Sequence, residues 1–283
     1  MRWEGRRQSD NVEDRRGMRV SRGGLVGGGL GTLAIALLVM FLGGDPTPIL
    51  QGAGNGPVET TSEPYVPTPE EEHTRAFVVT MLATTEDLWG QQFEAMGGTY
   101  QKPTLVLFRE AVESGCGVAD SGVGPFYCPP DEGVFLDMTF FDEMATKLQA
   151  GGDFAYAYVV AHEVGHHVQN RLGISARVQE MRQRVSEAEG NQLSVRLELQ
   201  ADCLAGVFGN YADKQGMIEP GDFAEGMRAA SAIGDDRLQR NAGSMVIPDS
   251  FTHGTSEQRQ RWLQRGIKTG SFDACDTFKA ADL

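Results

Sequence analysis

The sequence predicts an α+β fold, in which a mainly helical domain with a small β-sheet is preceded by one transmembrane helix. Three observations support this prediction. Apolar residues recur at helical spacing over long stretches such as 74–97 and 153–172. Two short runs, 103–109 and 133–137, have the composition of strands. Residues 23–44 carry no charged side chain, as expected of a segment that crosses a bilayer.

The helices of the second half are expected to form the core of the domain. The stretch 153–172 (DFAYAYVVAHEVGHHVQNRL) places small and apolar residues on one stripe, with Asp153 as a plausible N-cap. The same spacing predicts a helix at 193–215. Two more helices are expected near 221–233 and 256–267. Past the second strand, the chain is therefore predicted to be nearly all helix.

The apolar segment divides the chain into four parts. Arginines precede it and the following stretch is rich in Pro, Gly, Thr and Glu, which by the positive-inside rule places the N-terminus in the cytoplasm. The expected parts are a cytoplasmic basic segment at 1–22, a transmembrane helix at 23–44, a flexible stalk at 45–72 and an extracytoplasmic domain at 73–283. The alternative is a cleaved secretory signal, although no A-x-A site follows the apolar run. The expected location is the cell membrane, with a single span.

The charge distribution argues against nucleic acid as a partner. The formal net charge of the chain is −14, and the first 44 residues hold seven arginines against four acidic residues. The rest of the chain therefore has 18 basic and 35 acidic residues, a net charge of −17. Such a surface repels phosphate backbones and anionic lipid surfaces.

Four cysteines agree with an oxidising compartment. Cys116, Cys128, Cys203 and Cys275 allow three disulfide connectivities. The pairing of Cys116 with Cys128 is favoured because the Gly-rich stretch between them can close a short loop, which leaves Cys203 for Cys275. The alternative is a thiolate metal site, but the chain contains no C-x-x-C pair.

The segment His162-Glu163-Val164-Gly165-His166 lies in the middle of the helix expected at 153–172. Residues four apart project from the same helical face, so both imidazoles can bind one ion. Glu163 lies beside the metal, where it can take a proton from a zinc-bound water. The alternative interpretation is a helix with a solvated histidine pair. The motif therefore predicts one catalytic Zn²⁺ ion.

A catalytic zinc needs a third protein ligand, and Glu198 is the best candidate. It begins the run Glu-Leu-Gln-Ala-Asp, which places Asp202 four residues later on the same helical face. A metal-bound histidine usually donates its other N–H to a carboxylate, and Asp202 can serve in that way. The alternative is that Glu198 is a surface carboxylate near Arg196.

These motifs resemble a known arrangement. HEVGH followed by ELQAD is similar to the gluzincin arrangement of thermolysin-like peptidases. RRQSDNVEDRRG, GPFYCP, VFLD with a following FFDE, and THGTSEQR extend the likeness to a bacterial family of neutral zinc metallopeptidases. The resemblance covers most of the chain outside the stalk. It implies a zincin-like domain with His162, His166 and Glu198 as zinc ligands, Glu163 as general base and Asp202 as the supporting carboxylate.

Peptide hydrolysis also needs a donor for the oxyanion. Gluzincins commonly add a His or Tyr from a later segment, and His253 is the only histidine after the metal helix. The alternative is that His253 precedes or caps the helix that begins near Ser256. Tyr211 is a weaker rival because its place on an apolar stripe favours core packing. His167 and His73 are not expected to take part.

The resulting hypothesis is a membrane-anchored zinc endopeptidase that acts on a protein or peptide substrate. The strand at 134–137 is expected to offer its edge to an extended substrate. Two other classes stay open: an inactive, metal-stabilised scaffold or binding protein, and a zinc hydrolase of a non-protein envelope polymer. The sequence does not determine the substrate or the oligomeric state.

Overall fold

The computed structural model describes residues 1–22, 58–62, 65–243 and 245–283. Within these ranges the chain is mainly helical with a small sheet. The helices are α1 Pro69–Ala95, α2 Phe140–Thr146, α3 Asp153–Arg171, α4 Ile174–Arg182, α5 Glu187–Lys214, α6 Asp222–Ala232, α7 Asp235–Asn241 and α8 Ser256–Thr269. The strands are β1 Val12–Asp14, β2 Met18–Arg22, β3 Val58–Ser62, β4 Thr104–Phe108, β5 Ala111–Ser114, β6 Gly117–Asp120, β7 Phe126–Cys128 and β8 Gly133–Asp137.

The main sheet has four strands in the order β1-β4-β8-β7. β1, β4 and β8 run parallel, whereas β7 is antiparallel to β8, with Phe126 opposite Phe135. β8 is buried at all five positions and paired on both sides. The expectation that this strand offers its edge to a substrate is therefore wrong, because β7 is the edge strand at that end of the sheet.

The long helices begin where the local sequence supplies caps. α1 starts after Thr68, and α5 starts after Ser186, each with a reciprocal capping box that satisfies exposed backbone N–H groups. α3 packs closely against α5 at Gly165, where an added Cβ atom would lie 3.3 Å from the Cα atom of Ala201. The glycine inside HEVGH thus lets the two helices approach, which brings the residues of both toward one point.

The predicted transmembrane helix is not supported. Within the described ranges, none of the helices combines the length and the hydrophobicity needed to cross a lipid bilayer. The predicted span itself, 23–44, lies outside those ranges. The fold is accordingly corrected to a mainly helical domain with a small sheet. The other predicted boundaries stay predictions, although α1 already begins at Pro69.

Residues 1–17, which we call the N-terminal segment, lie against the helical domain. β1 pairs with β4, Val12 standing opposite Leu105. Trp3 is buried, with its ring 5.4 Å from that of Phe77 between centroids. Segments joined by backbone hydrogen bonds in one sheet cannot lie on opposite sides of a bilayer. The predicted location, a single-pass protein with a cytoplasmic N-terminus and an extracytoplasmic catalytic domain, is therefore wrong.

Both favoured disulfides are confirmed. Cys116 is bonded to Cys128, and Cys203 to Cys275. The first joins the turn between β5 and β6 to the end of β7. The second ties the C-terminal region to α5 inside the core, where both cysteines are fully buried. A cysteine metal site is excluded because all four sulfur atoms are used.

Candidate metal centre

Three side chains from α3 and α5 converge on one point. His162 Nε2 lies 3.2 Å from Glu198 Oε2, and His166 Nε2 lies 3.4 Å from Glu198 Oε1. The two Nε2 atoms are themselves 3.2 Å apart. These potential ligand atoms all lie within 4.8 Å of one another, close enough to hold one metal ion. Two imidazoles and a carboxylate form a donor set that fits zinc with one position left open.

Each imidazole is oriented through its second nitrogen. His166 Nδ1 donates to Gln169 Oε1 at 2.9 Å, and the Gln169 amide is fixed because its nitrogen donates to Leu197 O at 2.7 Å. His162 Nδ1 lies 2.9 Å from Asp202 Oδ1, a close contact although the N–H does not point straight at that oxygen. Both arrangements leave Nε2 directed toward the shared point.

The charges of the centre suit a cation. Burial acts to raise the pKa of Glu198, but His166 and the hydrogen bonds from both imidazoles hold that pKa well below its ordinary range. Burial acts to lower the pKa of His162, yet the adjacent carboxylates of Asp202 and Glu198 raise it to about 10. The carboxylates that favour this proton also attract a metal ion, which competes with the proton for Nε2.

Glu163 is buried beside the three ligand candidates. Burial raises the pKa of its carboxyl group, and the charges of His166 and His162 oppose that rise. A carboxylate with a raised pKa is a better proton acceptor than an ordinary one. The position and environment of Glu163 are therefore those expected of a general base.

Asp202 belongs to a buried cluster that reaches α8. Tyr158 donates its hydroxyl to Asp202 Oδ1 at 2.5 Å, and Arg259 donates to both carboxylate oxygens at 2.9 Å. Burial acts to raise the pKa of Asp202, but the charge of Arg259 outweighs it and lowers the pKa to about 2. Asp202 is thus a permanent anion beside His162.

His253 lines the same cleft as the ligand candidates. Its Nδ1 lies 3.1 Å from Asp235 Oδ1, and Asp235 Oδ2 accepts the backbone N–H groups of Thr252, His253 and Gly254. Asp235 therefore holds the whole turn that carries His253. The rival donor, Tyr211, does not line this cleft, and its hydroxyl accepts a hydrogen bond from Gln91 on α1 instead.

The cleft has a volume of about 1050 Å³, large enough for several residues of a ligand. One side is formed by residues 122–127, which end in β7 and which we call the cleft wall. His167, the residue after His166, is fully buried, does not line the cleft and holds this wall. Its Nε2 donates to Gln101 O at 2.7 Å, so its Nδ1 accepts from the Tyr127 hydroxyl at 3.0 Å.

The sequence motifs gave no role to the residues that hold the predicted ones in place, although Arg259 ends the run THGTSEQR; these residues are Tyr158, Gln169, Asp235 and Arg259. Tyr158 and Gln169 carried a local signal, since Tyr158 lies four residues before His162 and Gln169 three residues after His166 on the same helix. His73, which was not expected to take part, lies on α1 outside the group of ligand candidates. His73 packs against the ring of Trp3 at 5.0 Å.

The fold and the centre define a helical protein with a His-His-Glu group that can hold one metal ion. The chain belongs to the family described as "Putative neutral zinc metallopeptidase", whose model matches residues 1–278. This confirms the resemblance seen in the motifs. The family description supports a zinc metallopeptidase without assigning roles to individual residues.

Curated relatives agree with this membership. The chain is 50% identical to a protein of Escherichia coli K12 named "Uncharacterized protein YpfJ", over 98% of this chain and 99% of that protein. It is 46% identical to "Uncharacterized protein Rv2575" of Mycobacterium tuberculosis H37Rv, over 65% of each. Neither name assigns an activity. No solved structure is detectably similar to the chain.

Proposed function

We propose that the chain is a zinc-dependent endopeptidase with His162, His166 and Glu198 as ligands and Glu163 as general base. The observation that carries this proposal is the convergence of the three ligand candidates beside a buried Glu163 in an open cleft. A scaffold that used a metal only for stability would have no need of a buried carboxylate beside the ligand candidates.

In the proposed reaction each residue of the centre has a separate role in hydrolysing the peptide bond. A zinc ion held by these ligands would polarise a carbonyl group and make water more acidic. Glu163 accepts the proton of the attacking water and later delivers it to the leaving amine. His253, held through Nδ1 by Asp235, is the proposed donor to the oxyanion of the tetrahedral state.

The edge strand β7 favours a peptide over other polymers as the substrate. It pairs with β8 on one side only, and the wall to which it belongs faces the cleft. The backbone of an edge strand can form hydrogen bonds with an extended chain, which a glycan cannot match along its length. A peptide lying along the wall would pass over the ligand candidates on α3.

The test is to purify the full chain, measure its zinc content and offer it an unfolded protein. We expect Glu163→Gln to keep the zinc and to lower the rate roughly 100- to 10,000-fold. Glu143→Gln is the matched control, because Glu143 lines the same cleft but lies on α2, outside the metal group. Glu198→Ala is expected to lose the zinc as well as the activity.

The outcomes separate the three functional classes. Zinc binding without cleavage of any substrate would support a scaffold, whereas cleavage of cell-wall fragments but not of protein would support a polymer hydrolase. Activity that survives a chelator or Glu163→Gln would overturn the mechanism. His253→Ala should reduce turnover with the zinc retained, and unchanged turnover would remove His253 from the proposal.

A further inference from the structure

Arg259 is a buried arginine at the base of the metal centre. It lies on α8, its side chain is 3% exposed, and one face of it borders the cleft. Its Nε atom donates to Asp202 Oδ2 and its Nη2 atom to Asp202 Oδ1, both at 2.9 Å. This paired geometry fixes the plane of the carboxylate as well as its position.

The same guanidinium is itself held on two further sides. Nη2 also donates to the hydroxyl of Tyr158 at 3.1 Å, and Nη1 donates to the carbonyl of Ile233 at 3.4 Å. Tyr158 in turn donates to Asp202 Oδ1. Tyr158 on α3 and Arg259 on α8 together fix the carboxylate of Asp202 beside His162. The carboxylate therefore has little freedom to rotate.

The orientation of His162 depends on this arrangement because the imidazole approaches the carboxylate through Nδ1. The direction of the Nε2 lone pair follows the ring, and partners of metal ligands change metal affinity by about 10- to 100-fold when altered. His166 differs, since its Nδ1 donates to the neutral amide of Gln169. Only the His162 side of the centre relies on a charged cluster.

We propose that Arg259 is a positioning residue of the metal centre, which fixes Asp202, and through it His162, and so sets the affinity of the centre for zinc. The inference rests on the proposed zinc site. A lysine at this position would keep the charge but lose the paired donors and their fixed plane. The proposal therefore concerns the shape of the guanidinium in addition to its charge.

The experiment compares Arg259→Lys, Asp202→Asn and the double variant in the full chain. Zinc affinity is measured by competition with a chromophoric chelator, and ligand geometry by the visible absorption of the cobalt-substituted protein. Arg261→Lys is the matched control, since Arg261 lies on the same helix but pairs with Glu257 at the surface. We expect Arg259→Lys to weaken zinc binding about tenfold and to change the cobalt spectrum, with Arg261→Lys unchanged.

The double variant distinguishes positioning from a general loss of stability. If Arg259 acts through Asp202, the double variant binds zinc no more weakly than Asp202→Asn alone. If Arg259→Lys does not fold, as judged by thermal unfolding without metal, Tyr158→Phe provides the same test with a smaller expected loss. The proposal would be overturned if Arg259→Lys kept the zinc affinity and the cobalt spectrum of the wild type. It would also be overturned if the losses of zinc affinity in Arg259→Lys and Asp202→Asn multiplied in the double variant. A wild-type chain that binds no zinc would instead defeat the proposed function.

Discussion

Two buried carboxylates in this protein are neutralised in different ways. The Glu86 side chain on α1 is 1% exposed and that of Asp202 on α5 is fully buried. The cations around Glu86, Arg7 and Lys102, are 45% and 46% exposed, whereas Arg259 beside Asp202 is 3% exposed. The cluster at Glu86 keeps its positive charges in contact with water, and the cluster at Asp202 does not.

The two clusters also fix different parts of the protein. Glu86 accepts hydrogen bonds from Ser9 at 2.5 Å, Asn11 at 2.8 Å and Arg7 at 3.0 Å, all in the N-terminal segment. It therefore attaches that segment to α1. Asp202 joins α3, α5 and α8 around His162. The comparison shows two uses of a buried carboxylate. At Glu86, whose cations stay in contact with water, the carboxylate attaches one chain segment to another. At Asp202, whose cation is buried, the carboxylate orients a metal-ligand candidate.

The largest effect on stability is expected from Asp202→Ala. This change leaves Arg259 buried without its counter-charge, which costs about 3–5 kcal/mol of unfolding free energy. The double variant Asp202→Ala with Arg259→Met removes both charges and should recover a substantial part of that loss. Urea unfolding with a chelator present measures both without a contribution from metal. A double variant as unstable as the single one would show that enclosure of Arg259 is not the cause.

A smaller effect is expected from Glu86→Gln. Arg7 and Lys102 can return to water when the carboxylate is lost, so the cost is mainly that of charged hydrogen bonds, about 1.5–3 kcal/mol. Protease cleavage within the N-terminal segment should become faster, while zinc affinity stays unchanged. Asp87→Asn is the control, because Asp87 also pairs with Arg7 but is 51% exposed. Loss of zinc affinity in Glu86→Gln would contradict the separation of the two clusters.

The sequence predicted the two histidine ligand candidates because their spacing on one helix is local. HEVGH and the spacing of Glu198 and Asp202 depend only on the period of a helix, and the helix itself shows that period. The partner Arg259 lies 57 residues after Asp202, and although it ends the quoted run THGTSEQR, nothing in that run marks it as a partner of Asp202. The approach of α3 to α5 at Gly165 likewise depends on packing that one sequence does not display.

The N-terminal segment was misread for a related reason. Its stretch MRWEGRRQSDNVEDRR is polar and has no periodic apolar residues. Its packing on α1 and its pairing with β4 therefore cannot be deduced from periodicity. Its contacts are made by single residues, Trp3 in the core and Ser9 and Asn11 on Glu86. The strand at 133–137 was located correctly, but its interior place in the sheet is set by β7, a strand of three residues.

The comparison also predicts a pH dependence at Glu86. Burial acts to raise its pKa, but hydrogen bonds from Ser9, Asn11 and Arg7 outweigh burial and lower the pKa from its ordinary 4.5. A group whose folded pKa is lowered stabilises the protein above the unfolded value, and that contribution is lost as the pH falls through the folded pKa. The stability difference between wild type and Glu86→Gln should therefore be constant above about pH 5 and shrink below 4.5. A difference that does not change with pH would show that Glu86 is not the titrating group.

The smallest effect is expected where a buried polar cluster carries no charge. Burial raises the pKa of Tyr127 to about 12, so its hydroxyl stays protonated. The hydroxyl donates a hydrogen bond to His167 and accepts one from the side-chain amide of Asn170 at 2.9 Å. Tyr127→Phe should lower the unfolding free energy by about 0.5–1.5 kcal/mol and leave zinc affinity unchanged. Tyr211→Phe is the control, since the hydroxyl of Tyr211 has a partner in Gln91 outside the cleft. If Tyr127→Phe lowers the unfolding free energy as much as Glu86→Gln does, the charge of a cluster does not determine how much it contributes to stability. The cleft wall would then depend on shape complementarity rather than on the electrostatics that separate Glu86 from Asp202.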